Sequence, residues 1–247
     1  LKAAVAILQK EPAAKILAGG TDLLANMKHR VECPPVLVNI KRIADLDYIR
    51  QDNGDIRIGA LTPLKRLQAD TFVADNFSGL AQAAAAVGSY HHQVMGTLAG
   101  NICQQNRCMY FNQSKWWRSS RPTCYKAGGE ICHVVNKKEV CYSAYSGDMA
   151  PALMVINARI VLEGPDGSKE MAIEDFFSGD GKAPLVKAPA EIFAKSSYPK
   201  PRQPEFLAIL SLPILKVLTF PLLVPLYGHL KMKYYIGWQL QLLIASL

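Results

Sequence analysis

The sequence has no Cys-x2-Cys pair, and only one cysteine, Cys33, in its first hundred residues. Six cysteines in 247 residues are too sparse for the disulfide framework of a small secreted domain. Basic clusters are missing too. The 28 Lys and Arg residues outnumber the 20 Asp and Glu, giving a formal charge of +8, but they stand singly or in pairs, so no nucleic-acid-binding stripe or recognition helix is expected. Leu1 to Lys10 is an amphipathic run without the basic n-region, apolar h-region or small-residue cleavage site of a secretory leader. The chain opens on Leu1 rather than Met, as an internal segment of a longer gene product would. A reducing cytoplasm, where thiols stay available as ligands, is the expected compartment. No internal repeat is visible.

Long apolar runs are scarce as well. The one present, Phe206 to Tyr227, has the length of a membrane span, but Lys216, Pro213, Pro221 and Pro225 interrupt it, so a transmembrane helix is not expected. With 50% hydrophobic and 19% charged residues, the chain has the composition of a folded protein of one large domain or two smaller ones.

Periodicity supplies the elements. Lys2 to Lys10 predicts a helix, and Lys15 to Ala18 a strand that runs into the turn Gly19-Gly20-Thr21. Asp22 to Arg30 has helical spacing, and Val36 to Ile40 predicts a buried strand parallel to the first. Asp55 to Ala60 alternates as a strand, Thr62-Pro63 predicts a helix start with the hydroxyl as N-cap, and Gly79 to Val87 predicts a buried helix. From Ile102 to about Ser146 the periodicity disappears. A stretch of that length without regular structure is unusual unless a ligand or metal organises it. Order returns with an apolar helix over Gly147 to Ala158, and Arg159 to Glu163 and Ser168 to Ile173 flank Pro165-Asp166-Gly167 as a hairpin.

Three segments carry the chemistry. A glycine pair between a strand and a helix lets the backbone approach a phosphate while exposed amides supply donors. Ala18-Gly19-Gly20-Thr21-Asp22-Leu23-Leu24 is so arranged, and Thr97-Leu98-Ala99-Gly100-Asn101 is a second such turn, so the two together suit the two phosphates of a dinucleotide. Cys108, Cys124, Cys132 and Cys141 are separated by 15, 7 and 8 residues, with Cys103 just outside the group. Thiolates ligate both zinc and iron-sulfur clusters. Structural zinc favours closely paired cysteines, so the spacing tilts towards iron and sulfur, with unliganded thiols as the plainer alternative. Tyr110, Phe111, Trp116, Trp117 and Tyr125 lie in the same stretch, where they suit shielding of a cluster or ordinary packing. His91, His92 and His133 have no accompanying carboxylate or nucleophile pattern, and no catalytic residue is assigned. Asp148 opens a helix, where it suits either an N-cap or a cofactor hydroxyl. Cys33 reads as a packing residue.

The order of these features resembles the FAD subunit of the xanthine dehydrogenase and carbon monoxide dehydrogenase family of molybdenum hydroxylases: two glycine turns, a cysteine-bearing insertion, then the Asp-Met-Ala-Pro-Ala-Leu helix at 148–153. Within that family the cysteine spacing, with its surrounding Arg107-Cys108-Met109-Tyr110-Phe111-Asn112-Gln113 and Gly128-Gly129-Glu130-Ile131-Cys132-His133, is similar to the 4-hydroxybenzoyl-CoA reductase beta subunits. The likeness covers Leu1 to Lys182.

The resemblance implies an α+β fold class, a two-subdomain FAD-binding fold of the vanillyl-alcohol-oxidase or p-cresol-methylhydroxylase type. By the same resemblance, residues 1–50 form the first subdomain, 51–182 the second with a cluster insertion at 102–146, and 183–247 an incomplete or aberrant C-terminal α/β domain. A truncated or frameshifted reading frame would account for that last part, with a membrane tail as the rival idea. FAD would be held by Ile16, Leu17, Ala18, Gly19, Gly20, Thr21, Asp22, Leu23 and Leu24, by Thr97, Leu98, Ala99, Gly100 and Asn101, and by Asp148. Val87 stands where some relatives have an aromatic beside the flavin. Cys108, Cys124, Cys132 and Cys141 would hold a 4Fe-4S cluster. Partners implied by the family would be a molybdopterin-binding large subunit, a 2Fe-2S small subunit and a ferredoxin-like carrier, with the complex removing a ring hydroxyl from an aromatic acyl-CoA. An aldehyde or N-heterocycle hydroxylase of the same family is the alternative. A zinc-stabilised binding module with a basic surface is the alternative of a different class.

Overall fold

The computed structural model describes residues 1–52, 55–199, 207–213 and 219–225. The chain opens with α1 (Lys2–Lys10), β1 (Lys15–Leu17), α2 (Leu23–Lys28) and β2 (Leu37–Asn39). β1 and β2 pair in parallel, Lys15 opposite Leu37 and Leu17 opposite Asn39, as the apolar runs predict. α2 is shorter than its periodicity suggests. It stops at His29, after which Arg30 takes a left-handed φ of 53° and the Asn26 carbonyl accepts from Val31 N–H at 2.9 Å.

β3 (Ile49–Asp52) and β4 (Asp55–Gly59) start a second unit, followed by the helices α3 (Leu64–Ala69), α4 (Thr71–Asn76), α5 (Ser78–Ala86), α6 (Tyr90–Met95) and α7 (Leu98–Ile102). The aperiodic stretch contains α8 (Lys115–Ser119) and the two-residue strands β5 (Ile131–Cys132) and β6 (Lys137–Lys138). Then come α9 (Met149–Val155), β7 (Arg159–Gly164), β8 (Gly167–Ala172) and β9 (Ile192–Pro199). The hairpin of β7 and β8 is antiparallel, Arg159 opposite Ala172 and Gly164 opposite Gly167.

These strands form one five-stranded sheet in the order β3-β4-β9-β7-β8. Its central strand is β9, antiparallel to both β4 and β7, so the sheet extends well past the boundary expected after Lys182. The alternation in β4 puts Ile56 and Ile58 inside. They join Ile160, Leu162, Phe193 and Tyr198 beneath Leu64, Leu67, Leu80, Leu98, Ile102, Met149 and Leu153 of the covering helices. Fully burying each such side chain stabilises the fold by about 1.5–3 kcal/mol. A second cluster, with Ala4, Val5 and Leu8 of α1 against Val38, Ile40, Leu46, Leu61 and Ile192, anchors the first unit on the sheet.

Local chemistry differs from expectation at Thr62. Pro63, not Thr62, occupies the N-cap position of α3, and the Thr62 hydroxyl instead donates to the Tyr48 carbonyl at 3.0 Å. Part of the apolar run expected at 206–227 is described, as the antiparallel pair β10 (Leu207–Pro213) and β11 (Thr219–Pro225); the rest, and the tail to Leu247, lie outside the described residues. Among the described residues no helix is long and apolar enough to cross a membrane.

Candidate functional site: two loops and a cysteine-rich insertion

The first glycine turn follows β1 and enters α2. Ile16 and Leu17 are in the strand, Ala18, Gly19, Gly20 and Thr21 make the turn, Asp22 precedes the helix, and Leu23 and Leu24 begin it. Gly20 has φ 76°, in the left-handed region that favours glycine. Gly19 faces another constraint: a Cβ there would overlap the carbonyl oxygen of Met95 and stand 3.1 Å from the Cα of Gly96. That close approach brings the first turn against the residues leading into Thr97. The peptide N–H groups of Gly19, Gly20 and Thr21 donate to no backbone carbonyl among the described residues, so this turn presents free donors.

The second turn has a different character. Thr97 to Asn101 is the start of α7, and the amides of Leu98 to Asn101 are used within the protein. Leu98 donates to the Thr62 carbonyl, Ala99 to Ala60, and Asn101 to Thr97, while Gly100 donates to the Thr97 hydroxyl at 3.2 Å. This segment is a capped helical turn, buried except at Gly100. What it offers is the Asn101 side chain, whose Oδ1 accepts from Met149 N–H at 2.9 Å.

That bond also corrects the N-cap expected of Asp148, which makes no side-chain cap bond to α9. Asn101 takes over the helix amide, and the Asp148 carboxyl is left for other partners. Burial raises its pKa above the ordinary carboxylate value, opposed by hydrogen bonds from the Asn101 side chain and its own backbone and by the charge of Arg107. Nearby, the buried Ser146 hydroxyl has no hydrogen-bond partner among the described residues. An orphaned hydroxyl and a desolvated carboxyl, linked to the donor-rich turn through Arg107 and its pairing with Asp22, suit a polar cofactor such as a dinucleotide.

The insertion docks on the first turn through polar contacts that no motif in the sequence announces. Gln105 N–H donates to Asp22 Oδ2 at 3.1 Å, and Arg107 Nη2 pairs with Asp22 Oδ1 at 3.3 Å. Asn112 Nδ2 donates to Asn26 Oδ1 at 3.4 Å, and the Arg118 guanidinium donates to the Arg30 carbonyl. These partners are 83 to 88 residues apart, so no local spacing signals them.

All six cysteines are free thiols. Cys108 lies close enough to Cys124 and Cys132 to feel their charges, and Lys126 lies among Cys108, Cys124 and Cys141. Cys108 Sγ accepts from Tyr110 N–H at 3.4 Å. Burial raises the Cys108 pKa, with this bond and one from Phe111 N–H opposing. Cys141 Sγ is 3.4 Å from the Ser143 hydroxyl. Local turns present two of these cysteines: Gly129 N–H donates to the Cys124 carbonyl, and Cys132 sits in the β5-β6 hairpin. The bridge of Cys124 to Ile131 brings Cys124 beside Cys132, and the Ser143 hydroxyl lies 3.4 Å from both Cys141 Sγ and Lys126 Nζ. Among the described residues no three His, Cys, Asp or Glu side chains converge as they would on a single metal ion.

Cys103 stands apart. It packs against the main core, and burial pushes its thiol up to about 12, with Lys187 opposing. Of the histidines, His92 Nδ1 serves Ser89 in a capping box and His133 Nε2 contacts the Pro122 carbonyl at 2.9 Å. Val87 ends α5, and its carbonyl accepts from Gln93. Cys33 is exposed rather than packed. Tyr110 rests edge-on against His133, Phe111 is buried under Lys126, and Trp116 is 79% exposed, so only part of the aromatic set is placed to shield the thiols.

Residues 1–200 match the family described as the FAD binding domain in molybdopterin dehydrogenase. The chain belongs to that family. It is 31% identical over 208 residues to the aldehyde oxidoreductase FAD-binding subunit PaoB of Escherichia coli (strain K12), covering 78% of this chain and 64% of that protein. It is 29% identical to the nicotinate dehydrogenase FAD-subunit of Eubacterium barkeri, covering 67% of this chain and 43% of that one. The chain thus spans between two fifths and two thirds of the length of these relatives. Among solved structures, carbon monoxide dehydrogenase from Hydrogenophaga pseudoflava superposes with a TM-score of 0.69 at 23% identity, over 92% of this chain and 67% of that one. This FAD-binding domain therefore has the mixed α/β architecture of the family.

Proposed function

We propose that this FAD-binding domain is the electron-transfer part of a molybdenum-dependent oxidoreductase, and that its insertion carries a 4Fe-4S cluster. The observation that carries the reading is the contact network at Asp22, where the glycine turn receives Gln105 and Arg107 of the cysteine-rich insertion. It supports a flavin and a cluster held by adjoining loops. FAD supplies the ability to pass one or two electrons. The chain's own residues do the rest. The free amides of Gly19, Gly20 and Thr21 would bind phosphate oxygens, Asp22 and Arg107 would fix the turn, and Asn101 with Asp148 would hold a cofactor hydroxyl. Ile16, Leu17, Ala18, Leu23, Leu24 and the Thr97 to Gly100 segment would frame the site. Cys108, Cys124, Cys132 and Cys141 would ligate the cluster.

The reading includes a vanillyl-alcohol-oxidase-type arrangement, which a small parallel unit followed by a larger antiparallel sheet supports. It also includes a molybdopterin-binding large subunit, a 2Fe-2S small subunit and a cytoplasmic setting. For the complex, the four-cysteine insertion favours ferredoxin-linked reductive dehydroxylation of an aromatic acyl-CoA, as in 4-hydroxybenzoyl-CoA reductase. Similarity to subunits named for aldehyde and nicotinate oxidation favours a second reading, hydroxylation of an aldehyde or N-heterocycle.

Anaerobic purification of the chain with copurifying subunits, followed by absorption spectra and iron, sulfide and zinc analysis, tests the cofactor assignment. Flavin with about four irons per chain is expected; a colourless protein with one zinc would sink it. Ferredoxin-linked turnover of 4-hydroxybenzoyl-CoA, against oxidation of aldehydes or nicotinate, separates the two substrate readings.

A further inference from the structure

Lys126 occupies the turn between Cys124 and Cys132, and its ammonium points back into the insertion. It donates to Gln105 Oε1 at 3.1 Å, to the Asn106 carbonyl at 3.1 Å and to the Ser143 hydroxyl at 3.4 Å. The charge also stands 4.8 Å from the centroid of the buried Phe111 ring. All three oxygen partners are uncharged. Ser143 links Lys126 to the cysteines, its hydroxyl lying 3.4 Å from both Lys126 Nζ and Cys141 Sγ, and Cys108, Cys124 and Glu32 are within electrostatic reach. Glu32 is itself engaged by Lys15 at 3.4 Å and by Gln105 Nε2 at 3.3 Å. Lys126 is therefore a half-buried cation fixed by neutral acceptors, one of which, Ser143, also touches Cys141. A surface lysine would leave its head in water; this one is held at the place where ligand charge accumulates.

We propose that Lys126 is the positioning residue that offsets the charge of the cysteine quartet and holds the reduction potential of its cluster up. The inference rests on the iron-sulfur reading above. Four thiolates and a cluster carry net negative charge, and reduction adds one more electron to it. A fixed cation nearby stabilises the more negative, reduced form over the oxidised one, because the attraction grows with the charge and is weakly screened away from water. Hydrogen bonds and charges around the sulfurs are among the recognised determinants of such potentials. Gln105 gives the arrangement a second consequence. It accepts from Lys126 through its side chain while its N–H donates to Asp22, so the same residue orients the cation and braces the glycine turn.

The test compares the wild type with Lys126→Gln, Lys126→Met and Lys126→Arg, each purified anaerobically as the full chain. Iron and sulfide content, and the midpoint potential from titration followed by electron paramagnetic resonance, are the readouts. The neutral variants should shift the reduction equilibrium about tenfold towards the oxidised form, about 59 mV more negative for one electron, and Lys126→Arg should return it towards wild type. Loss of the cluster in both neutral variants with retention in Lys126→Arg would support the same charge requirement. A neutral variant with an intact cluster and an unchanged or raised potential would overturn the role while leaving the cluster reading standing, as would cluster loss in all three variants. A wild type without iron and sulfide would remove the cluster reading, and this role with it.

Discussion

Gly19 lies against the carbonyl oxygen of Met95 so closely that any side chain at position 19 would overlap it. Two segments far apart in sequence are thereby pressed into one site. Gly19→Ala should push the first turn off the Met95-Gly96 segment, at a cost of about 1–3 kcal/mol for overpacking. FAD affinity should fall at least about tenfold, equal to 1.4 kcal/mol. Titration of flavin fluorescence against the apo-chain measures it, and unchanged affinity would separate this contact from cofactor binding.

Arg107 and Asp22 give a contrasting case. Their side chains are 57% and 20% exposed, and such pairs contribute about 0–1 kcal/mol to stability. Arg107→Met should therefore leave the melting temperature nearly unchanged. FAD affinity should nevertheless drop severalfold, because the bridge fixes the turn that presents the free amides. A large thermal destabilisation with normal flavin binding would reverse the assignment.

Asp148 ties stability to pH. Burial raises its pKa above the ordinary carboxylate value in the folded chain, so between those two values the folded state binds more protons than the unfolded one. Stability then falls as pH rises through that window. Asp148→Asn should melt later than wild type at neutral pH in the absence of FAD, and the two should converge in acid. The same variant should bind FAD more weakly. Thermal melts across acidic to neutral pH check the first expectation; a constant difference at every pH would refute it.

Cysteine replacements divide the six thiols. Serine at Cys108, Cys124, Cys132 or Cys141 should lower iron and sulfide per chain sharply, whereas Cys33→Ser should leave both unchanged. Cys103→Ser should keep the iron, although a hydroxyl in that apolar site would cost about 1–3 kcal/mol. Full iron retention in the four quartet variants would remove the cluster from this loop.

How far the sequence alone reaches depends on whether a feature is local. α1 begins and ends where its amphipathic run does, and the β1-β2 pair and the β7-β8 hairpin come from apolar runs and a Pro-Asp-Gly turn. These are short-range signals. Asp148 and Thr62 both suit a helix cap by residue type, yet neither serves as one, because their actual partners, Asn101 and Tyr48, come from elsewhere in the fold. The free amides at Gly19 to Thr21 and the consumed ones at Leu98 to Asn101 look alike as glycine-containing turns. Only their tertiary acceptors distinguish them. Gln105 and Lys126 carry no motif of their own, and their contacts emerge once the insertion is docked on α2.

The middle strand of the large sheet is also its last to be made. β9 slots between β4 and β7, so residues 192–199 complete a sheet whose β4 edge was laid down more than a hundred positions earlier. A nascent chain that has emerged only as far as the β7-β8 hairpin holds two unpaired edges with a gap between them, the arrangement most open to association with other chains. Folding of this unit should consequently be slow and all-or-none, and a fragment ending before Ile192 should be recovered as aggregate rather than as a smaller flavin domain.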